Sequence, residues 1–165
     1  MQPIKAEFKT ILKNAAATDA FGHCLGRQLV AGLIVYLHGD LGAGKTALTR
    51  ALLHAAGYSG HVKSPTYTLA ESYQIIVAGQ SVTLMHFDLY RMADPEEFLD
   101  AGFREVFNGS TICIVEWPEN GSPVLPAPDL QVYLSVFGEG RQLKLCALTA
   151  KGHTCLEQLH FAPNL

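Results

Sequence analysis

The stretch LIVYLHGDLGAGKTALTRALLHAA, residues 33–56, places a strand pattern, a glycine-rich loop and a helix pattern in direct succession. Residues 33–37 are continuously apolar, which is typical of a strand buried on both faces of a parallel sheet. Residues 45–56 are rich in strong helix formers and precede Gly57, a residue type favoured just beyond helix ends. The loop GDLGAGKT, residues 39–46, matches the pattern G-x-x-x-x-G-K-[ST]. This order predicts an α/β domain with a phosphate-binding loop, or P-loop.

The loop residues have the chemistry that a nucleotide phosphate chain requires. Glycines let the backbone curl so that N–H groups point inward at phosphate oxygens, and the following helix adds its positive dipole end. Lys45 is expected to place an ammonium group on the β- and γ-phosphates, and Thr46 a hydroxyl on Mg²⁺. No N-K-x-D guanine signature occurs, so we expect ATP as the nucleotide. The predicted nucleotide-binding residues are Asp40, Leu41, Gly42, Ala43, Gly44, Lys45, Thr46 and Ala47.

Two carboxylates stand at the ends of apolar, strand-like runs. Asp88 closes VTLMHFD and Glu116 closes TICIVE. Ligands of open α/β sheets collect at the carboxyl ends of the strands, and Mg²⁺ is held by one or two carboxylates plus phosphate oxygens and water. We therefore predict that both acids lie at the nucleotide site, the alternative being solvated loop acids. Which of the two contacts Mg²⁺ directly is left open.

Three further features stand near these elements. The segment SPTYTL, residues 64–69, is similar to segments that close over the γ-phosphate through a threonine hydroxyl, with Thr66 as the candidate. An ordinary proline turn is the alternative. Trp117 is the only tryptophan and directly follows the second acid, so it contacts the site or packs in the core. Arg91 and Arg104 are candidate charge-stabilising arginines, with surface ion pairs as the alternative.

The remaining pattern predicts a mixed sheet. Apolar residues at helical spacing within residues 19–30 predict a helix with Thr18 as its N-cap. Further elements are expected as a strand over 7–12, hairpins turning at 78–80 and 138–140, and helices over 94–107 and 149–159. We therefore predict an α/β fold, a P-loop NTPase-like three-layer domain with parallel strands and antiparallel hairpins, formed by residues 1–165 as a single domain.

Composition and charge exclude several other classes. Hydrophobic residues make up 48% and charged residues 16% of the chain, which excludes an intrinsically disordered protein. Lys+Arg 12 against Asp+Glu 15 gives a net charge of −3 without a basic block, which argues against a dedicated nucleic-acid binder. No membrane span or signal peptide is visible, and Cys113 reads as a buried reduced thiol. We expect a cytoplasmic protein.

Four segments together resemble the bacterial TsaE (also called YjeE) ATPase family of tRNA threonylcarbamoyladenosine biosynthesis. They are HGDLGAGKT at 38–46, SPTYTL at 64–69, HFDLYR at 86–91 and IVEWPE at 114–119. They occur in the family's order and within its usual length. The combination is specific, whereas the P-loop alone is generic, and the chain from Val124 onward carries no diagnostic motif.

The resemblance implies an ATPase that is weak alone and acts with the proteins TsaB and TsaD. Together with TsaC, these proteins attach the threonylcarbamoyl group to adenosine 37 of ANN-decoding tRNAs. In this family the partner proteins contact the tRNA, so no strong direct tRNA binding is expected. The residues implied are Gly42, Gly44, Lys45 and Thr46 for P-loop contacts, Thr46 and Glu116 for Mg²⁺, Lys45, Asp88 and Thr66 for catalysis or switching, and Trp117 beside the nucleotide.

Two other function classes compete with an ATP hydrolase that resets a partner complex. A P-loop kinase for a small molecule would usually carry an arginine-rich lid, and the five arginines here are scattered. A non-catalytic nucleotide-binding scaffold would use ATP only to order a docking surface. Slow turnover looks similar in a weak hydrolase and in a scaffold, so the sequence does not separate these two.

Overall fold

A computed structural model describes residues 6–65 and 67–159. The strands are β1 (Ala6–Leu12), β2 (Ile34–His38), β3 (Ala70–Val77), β4 (Gln80–Asp88), β5 (Ile112–Glu116), β6 (Leu130–Phe137) and β7 (Gly140–Ala147). The helices are α1 (Ala15–Gly26), α2 (Lys45–Ala55), α3 (Glu96–Asp100) and α4 (Ala150–Glu157), with short 3-10 helices at Phe103–Val106 and Pro118–Gly121. Residues 33–56 therefore fold as expected, into β2, the P-loop and α2.

The seven strands form one sheet in the order β1-β7-β6-β2-β5-β4-β3. The central strand β2 is parallel to both β5 and β6, and β4 is parallel to β5. The hairpins β3–β4 and β6–β7 are antiparallel, and β1 pairs antiparallel with β7. The predicted mixed sheet is confirmed. The carboxyl ends of β2, β4 and β5 meet at one edge, which is where the P-loop begins.

Apolar side chains cover both faces of the sheet. On one face, side chains of β2 such as Val35 and Leu37 form the larger core with α1 and α2. On the other face, Phe87 packs with Phe98 of α3 and with Phe103. All five residues of β5 are buried, because this strand is covered on both sides. These two cores, one on each face, confirm the predicted three-layer α/β arrangement.

Cys113 in β5 is fully buried and free, as its apolar surroundings in the sequence predict. Burial raises the pKa of its thiol to about 12. Because the thiolate is the reactive form of cysteine, this thiol is chemically inert in the folded protein. None of the helices within residues 6–65 and 67–159 combines the length and the hydrophobicity that a membrane span needs.

Two helix predictions are wrong in detail. The first helix begins at Ala15, with Asn14 as its N-cap accepting a hydrogen bond from Ala17 N at 2.9 Å. Thr18 is therefore not the cap but a buried residue inside the helix, because the alanines before it are strong helix formers. The helix predicted over 94–107 is split at Gly102, whose φ of 76° ends α3 in the left-handed conformation that favours glycine.

Candidate nucleotide-binding site

The P-loop leaves β2 and enters α2 through two glycines with left-handed backbone. Gly42 has φ 82° and Gly44, the N-cap of α2, has φ 102°, a conformation that is strained for residues with a Cβ. No side chain caps the amides of the first turn of α2. A helix start with uncapped amides favours an anion there, since the N–H groups and the helix dipole both attract negative charge. The loop is therefore a candidate site for a phosphate group.

Arg141 of β7 holds this loop from the side of the β6–β7 hairpin. Its Nε donates to the Ala43 carbonyl at 2.7 Å, and its Nη2 donates to the Gly42 carbonyl at 3.1 Å. Hydrogen bonds from a charged donor are stronger than neutral ones, so Arg141 fixes the loop carbonyls away from the amides. Arg141 is one of the five scattered arginines in the sequence. Nothing in its local sequence signals the contact, which depends on the pairing of β7 with β6.

Lys45 folds back over its own loop into a nearly dry site. Its Nζ donates to the Gly39 carbonyl, lies 3.8 Å from Glu116 Oε1, and lies 4.2 Å from the centroid of the Trp117 ring. Trp117 is half-buried and packs against the core that contains Phe87. The centroids of its ring and the Tyr90 ring are 4.9 Å apart. The two alternatives for Trp117 are therefore both met, because it packs in the core and also touches the P-loop lysine.

The two predicted acids lie side by side. Asp88 and Glu116 are direct register partners on the parallel strands β4 and β5, and their exposed fractions are 8% and 3%. Such burial excludes solvated loop acids. Asp88 accepts hydrogen bonds from Ser64 Oγ and from the Tyr90 amide, both at 3.0 Å. Glu116 Oε2 lies 2.6 Å from Nε2 of the buried His86. Each acid is held by its own partners at the edge where the P-loop begins.

The donor set fits a hard, oxygen-loving cation. Thr46 is the second residue of α2, and its hydroxyl together with the carboxylates of Glu116 and Asp88 supplies oxygen ligands of the kind that Mg²⁺ prefers. In the described part of the chain, no three or more His, Cys, Asp or Glu side chains cluster in a way that could hold a metal. A magnesium site needs only one or two protein carboxylates, because phosphate oxygens and water complete it.

The remaining candidates lie around the mouth of the loop. Asp40 and Leu41 are exposed there, Leu41 by 67%. The Arg91 guanidinium lies 5.2 Å from the ring centroid of Tyr67, whereas Arg104 is exposed on the 3-10 helix after α3. Neither arginine forms an ion pair with a described residue. Thr66 lies outside the described residues, so the predicted switch threonine is not placed.

A cavity of about 130 Å³ opens beside the loop, between the start of α1 and the β6–β7 turn. Its wall includes Asn14, Thr18, Gly44, Ala47, Glu139 and the first two residues of β7, Gly140 and Arg141. Only Gly44 and Ala47 of this set were predicted as nucleotide-binding residues. The others come from distant parts of the chain that the sheet order brings against the P-loop.

Comparison with known proteins agrees with the four motifs. The family model "Threonylcarbamoyl adenosine biosynthesis protein TsaE" matches residues 12–143. The chain is 50% identical over 120 residues, 73% of either chain, to the tRNA threonylcarbamoyladenosine biosynthesis protein TsaE of Haemophilus influenzae. It is 34% identical over 153 residues to the protein of the same name from Bacillus subtilis, covering 92% of this chain and 93% of the relative.

The fold agrees as well. The crystal structure of YdiB from Bacillus subtilis superposes with a TM-score of 0.75 at 26% sequence identity, and the alignment covers 96% of each chain. The resemblance drawn from the P-loop and the three accompanying motifs is thereby confirmed. The match spans β2, both acids and Arg141, so it includes every element of the site described above. This chain belongs to the TsaE family of threonylcarbamoyl adenosine biosynthesis proteins.

Proposed function

We propose that this chain binds ATP with Mg²⁺ and hydrolyses it, slowly alone and faster with partner proteins. It acts as the ATPase of the machinery that forms N6-threonylcarbamoyladenosine at position 37 of ANN-decoding tRNAs, on a complex of TsaB and TsaD, with TsaC in the same cytoplasmic pathway. The observation that carries the proposal is the convergence of Lys45 and two buried strand-end acids at the carboxyl edge of the sheet. The names of the relatives support the pathway.

The loop and its lysine bind and orient the phosphate chain. Backbone amides between Gly42 and Thr46 surround the phosphates, and the start of α2 adds its partial positive charge. Lys45 carries the fixed cation that stabilises charge developing on the γ-phosphate. Arg141 keeps the loop carbonyls turned away from the phosphate oxygens.

The acids divide two tasks. A Mg²⁺ ion held here would supply positive charge that offsets the negative charge of the phosphate chain. Thr46 and Glu116 are the residues assigned to hold the metal. Asp88 lies beside Glu116 in register and is assigned to orient the attacking water or a metal-bound water. Its hydrogen bonds from Ser64 and the Tyr90 amide fix the carboxylate for this task.

The segment around residues 64–69 is the proposed link to the partners. Ser64 donates a hydrogen bond to Asp88, and Tyr67, three residues further along the segment, is 85% exposed. Thr66 is proposed as the residue that senses the γ-phosphate between these two. A segment that joins a catalytic acid to an exposed aromatic surface would present a different surface in each nucleotide state, which shifts partner binding by differential contacts.

The deciding experiment measures ATP hydrolysis by the purified chain alone, with TsaB and TsaD, and with both partners and Lys45→Ala as the inactive control. We expect weak turnover alone and a marked increase with the partners. Nucleotide-dependent association without hydrolysis would instead favour a scaffold. Phosphate transfer to a small molecule, or no association in any nucleotide state, would favour a kinase. Thr66→Ala should weaken the effect of ATP on association more than it weakens ATP affinity.

A further inference from the structure

His86 is a buried polar side chain to which the proposed function gives no task. It is fully buried in β4, and its Nε2 lies 2.6 Å from Glu116 Oε2 on the neighbouring strand. An ionised carboxylate only accepts hydrogen bonds, so Nε2 carries the hydrogen and donates it. The side chains of His86 and Glu116 lie on the face of the sheet that α2 covers. Lys45, the first residue of α2, places its Nζ 3.8 Å from Oε1, the other oxygen of the Glu116 carboxylate.

This hydrogen bond determines which way the carboxylate faces. The terminal torsion of a glutamate side chain is broad and would let the carboxylate rotate. Because His86 holds Oε2, Oε1 is the oxygen left to face Lys45 and the P-loop. The orientation of the buried Glu116 carboxylate is thus fixed by a residue that does not itself contact the loop.

A histidine at position 86 lowers the stability of the folded protein. Its Nδ1 is buried and has no hydrogen-bond partner among the described residues, and the same holds for Thr49 Oγ1. An unsatisfied buried polar atom costs roughly 1–3 kcal/mol, and an apolar side chain of similar size would avoid that cost. Stability therefore does not explain a histidine at this position, whereas the hydrogen bond from Nε2 to Glu116 does.

We propose that His86 is a positioning residue for Glu116, whose hydrogen bond presents Glu116 Oε1 to the Mg²⁺–nucleotide complex. The inference rests on the proposed function, because it concerns the carboxylate assigned to the metal. Residues behind a metal ligand tune it in this way, and their loss costs roughly 10–100-fold in metal affinity. His86 acts only through Glu116, so its effect must disappear when Glu116 can no longer serve as the ligand.

The test uses His86→Gln and His86→Asn, two amides that differ in reach. The glutamine amide nitrogen extends about as far as Nε2 of histidine, whereas that of asparagine stops near Nδ1. ADP binding to the purified chain is measured by calorimetry over a series of Mg²⁺ concentrations, and without metal. We expect His86→Asn to raise the Mg²⁺ requirement roughly 10–100-fold. His86→Gln should stay close to the wild type, and ADP affinity without metal should be unchanged in both.

Two controls separate positioning from a loss of structure. Phe87→Leu changes the adjacent buried residue, which faces the opposite core, and should lower stability without moving the Mg²⁺ requirement. In a Glu116→Gln background, His86→Asn should have no additional effect on Mg²⁺. An unchanged requirement in His86→Asn, or equal shifts in His86→Asn and Phe87→Leu, overturns the positioning role alone. Wild-type protein that binds no ADP with or without Mg²⁺ overturns the proposed function as well.

Discussion

Lys45 Nζ and Glu116 Oε1 lie 3.8 Å apart, and the two side chains are exposed by only 6% and 4%. One stands at the first residue of the P-loop helix and the other at the last residue of the strand next to β2. In such a dry setting the charges interact more strongly than at a surface. A phosphate bound at the P-loop and a metal ion held by Glu116 would therefore meet at this pair.

Replacing Lys45 by alanine should reduce ATP hydrolysis by roughly 10²–10³-fold, because a fixed cation for the developing charge is lost. Steady-state phosphate release measures the rate, and circular dichroism checks the fold. Lys63→Ala is the matched control, since Lys63 is an exposed lysine paired with Glu71 at 3.6 Å. Near-wild-type turnover in a folded Lys45→Ala protein would contradict the assignment of the P-loop.

The two acids should differ in how their loss depends on Mg²⁺. Substituting the direct ligand raises the Mg²⁺ concentration needed for half-maximal rate, whereas substituting a water-orienting acid lowers the rate at saturating metal. We expect the first behaviour for Glu116→Gln and the second for Asp88→Asn, from Mg²⁺ titrations of hydrolysis. The reverse pattern would exchange the two roles. If neither quantity changes in either variant, the carboxylate site lies elsewhere.

The fluorescence of Trp117 should report nucleotide binding. It is the only tryptophan, and Lys45 Nζ lies 4.2 Å from its ring centroid, so a phosphate that draws this ammonium changes the charge beside the indole. A titration with ATP and Mg²⁺ should shift the emission intensity or wavelength. In Lys45→Ala the response should be much smaller. If the emission does not change although calorimetry shows that the nucleotide binds, the phosphates lie away from this ring.

Arg141→Ala should weaken nucleotide binding by about tenfold, close to the loss of one hydrogen bond from a charged donor. The guanidinium stabilises the shape of the P-loop, because it donates hydrogen bonds to the Ala43 carbonyl at 2.7 Å and to the Gly42 carbonyl at 3.1 Å. Calorimetry with ADP measures the affinity. Arg104→Ala, at an exposed arginine outside the site, is the control and should bind as the wild type does. Equal affinities in both variants would show that the loop keeps its shape without Arg141.

Gly22→Ala should destabilise the protein although alanine is the better helix former. The helix propensity gains about 1 kcal/mol, but a Cβ at this position of α1 would lie 2.6 Å from the Cβ of Ala51 and 3.0 Å from the Leu48 carbonyl oxygen in α2. Overpacking of this kind typically costs about 1–3 kcal/mol, so we expect a net loss in urea unfolding. Adding Ala51→Gly should cost less than the sum of the single changes. A stability gain in Gly22→Ala would show that the helices separate easily.

Local sequence determined the parts of the site that depend on neighbouring residues. An apolar run, a glycine pattern and helix formers follow one another in residues 33–56, so β2, the P-loop and α2 were predictable. Asp88 and Glu116 were recognisable because each ends an apolar strand. The cap at Asn14 was missed because the apolar stripe begins later than the helix does, and the break at Gly102 because periodicity outweighed a single glycine.

Tertiary structure alone decided which distant residues complete the site. Arg141 reaches the P-loop only because β6 lies beside β2 and carries β7 with it, and no local pattern encodes that strand order. His86 meets Glu116 because β4 and β5 pair in parallel in one register, and a shift of one residue would turn His86 to the other face. Packing of the two cores sets that register. The sequence by itself therefore determined the loop, the lysine and the acids, while the orientation of those groups comes from contacts that exist only in the folded sheet.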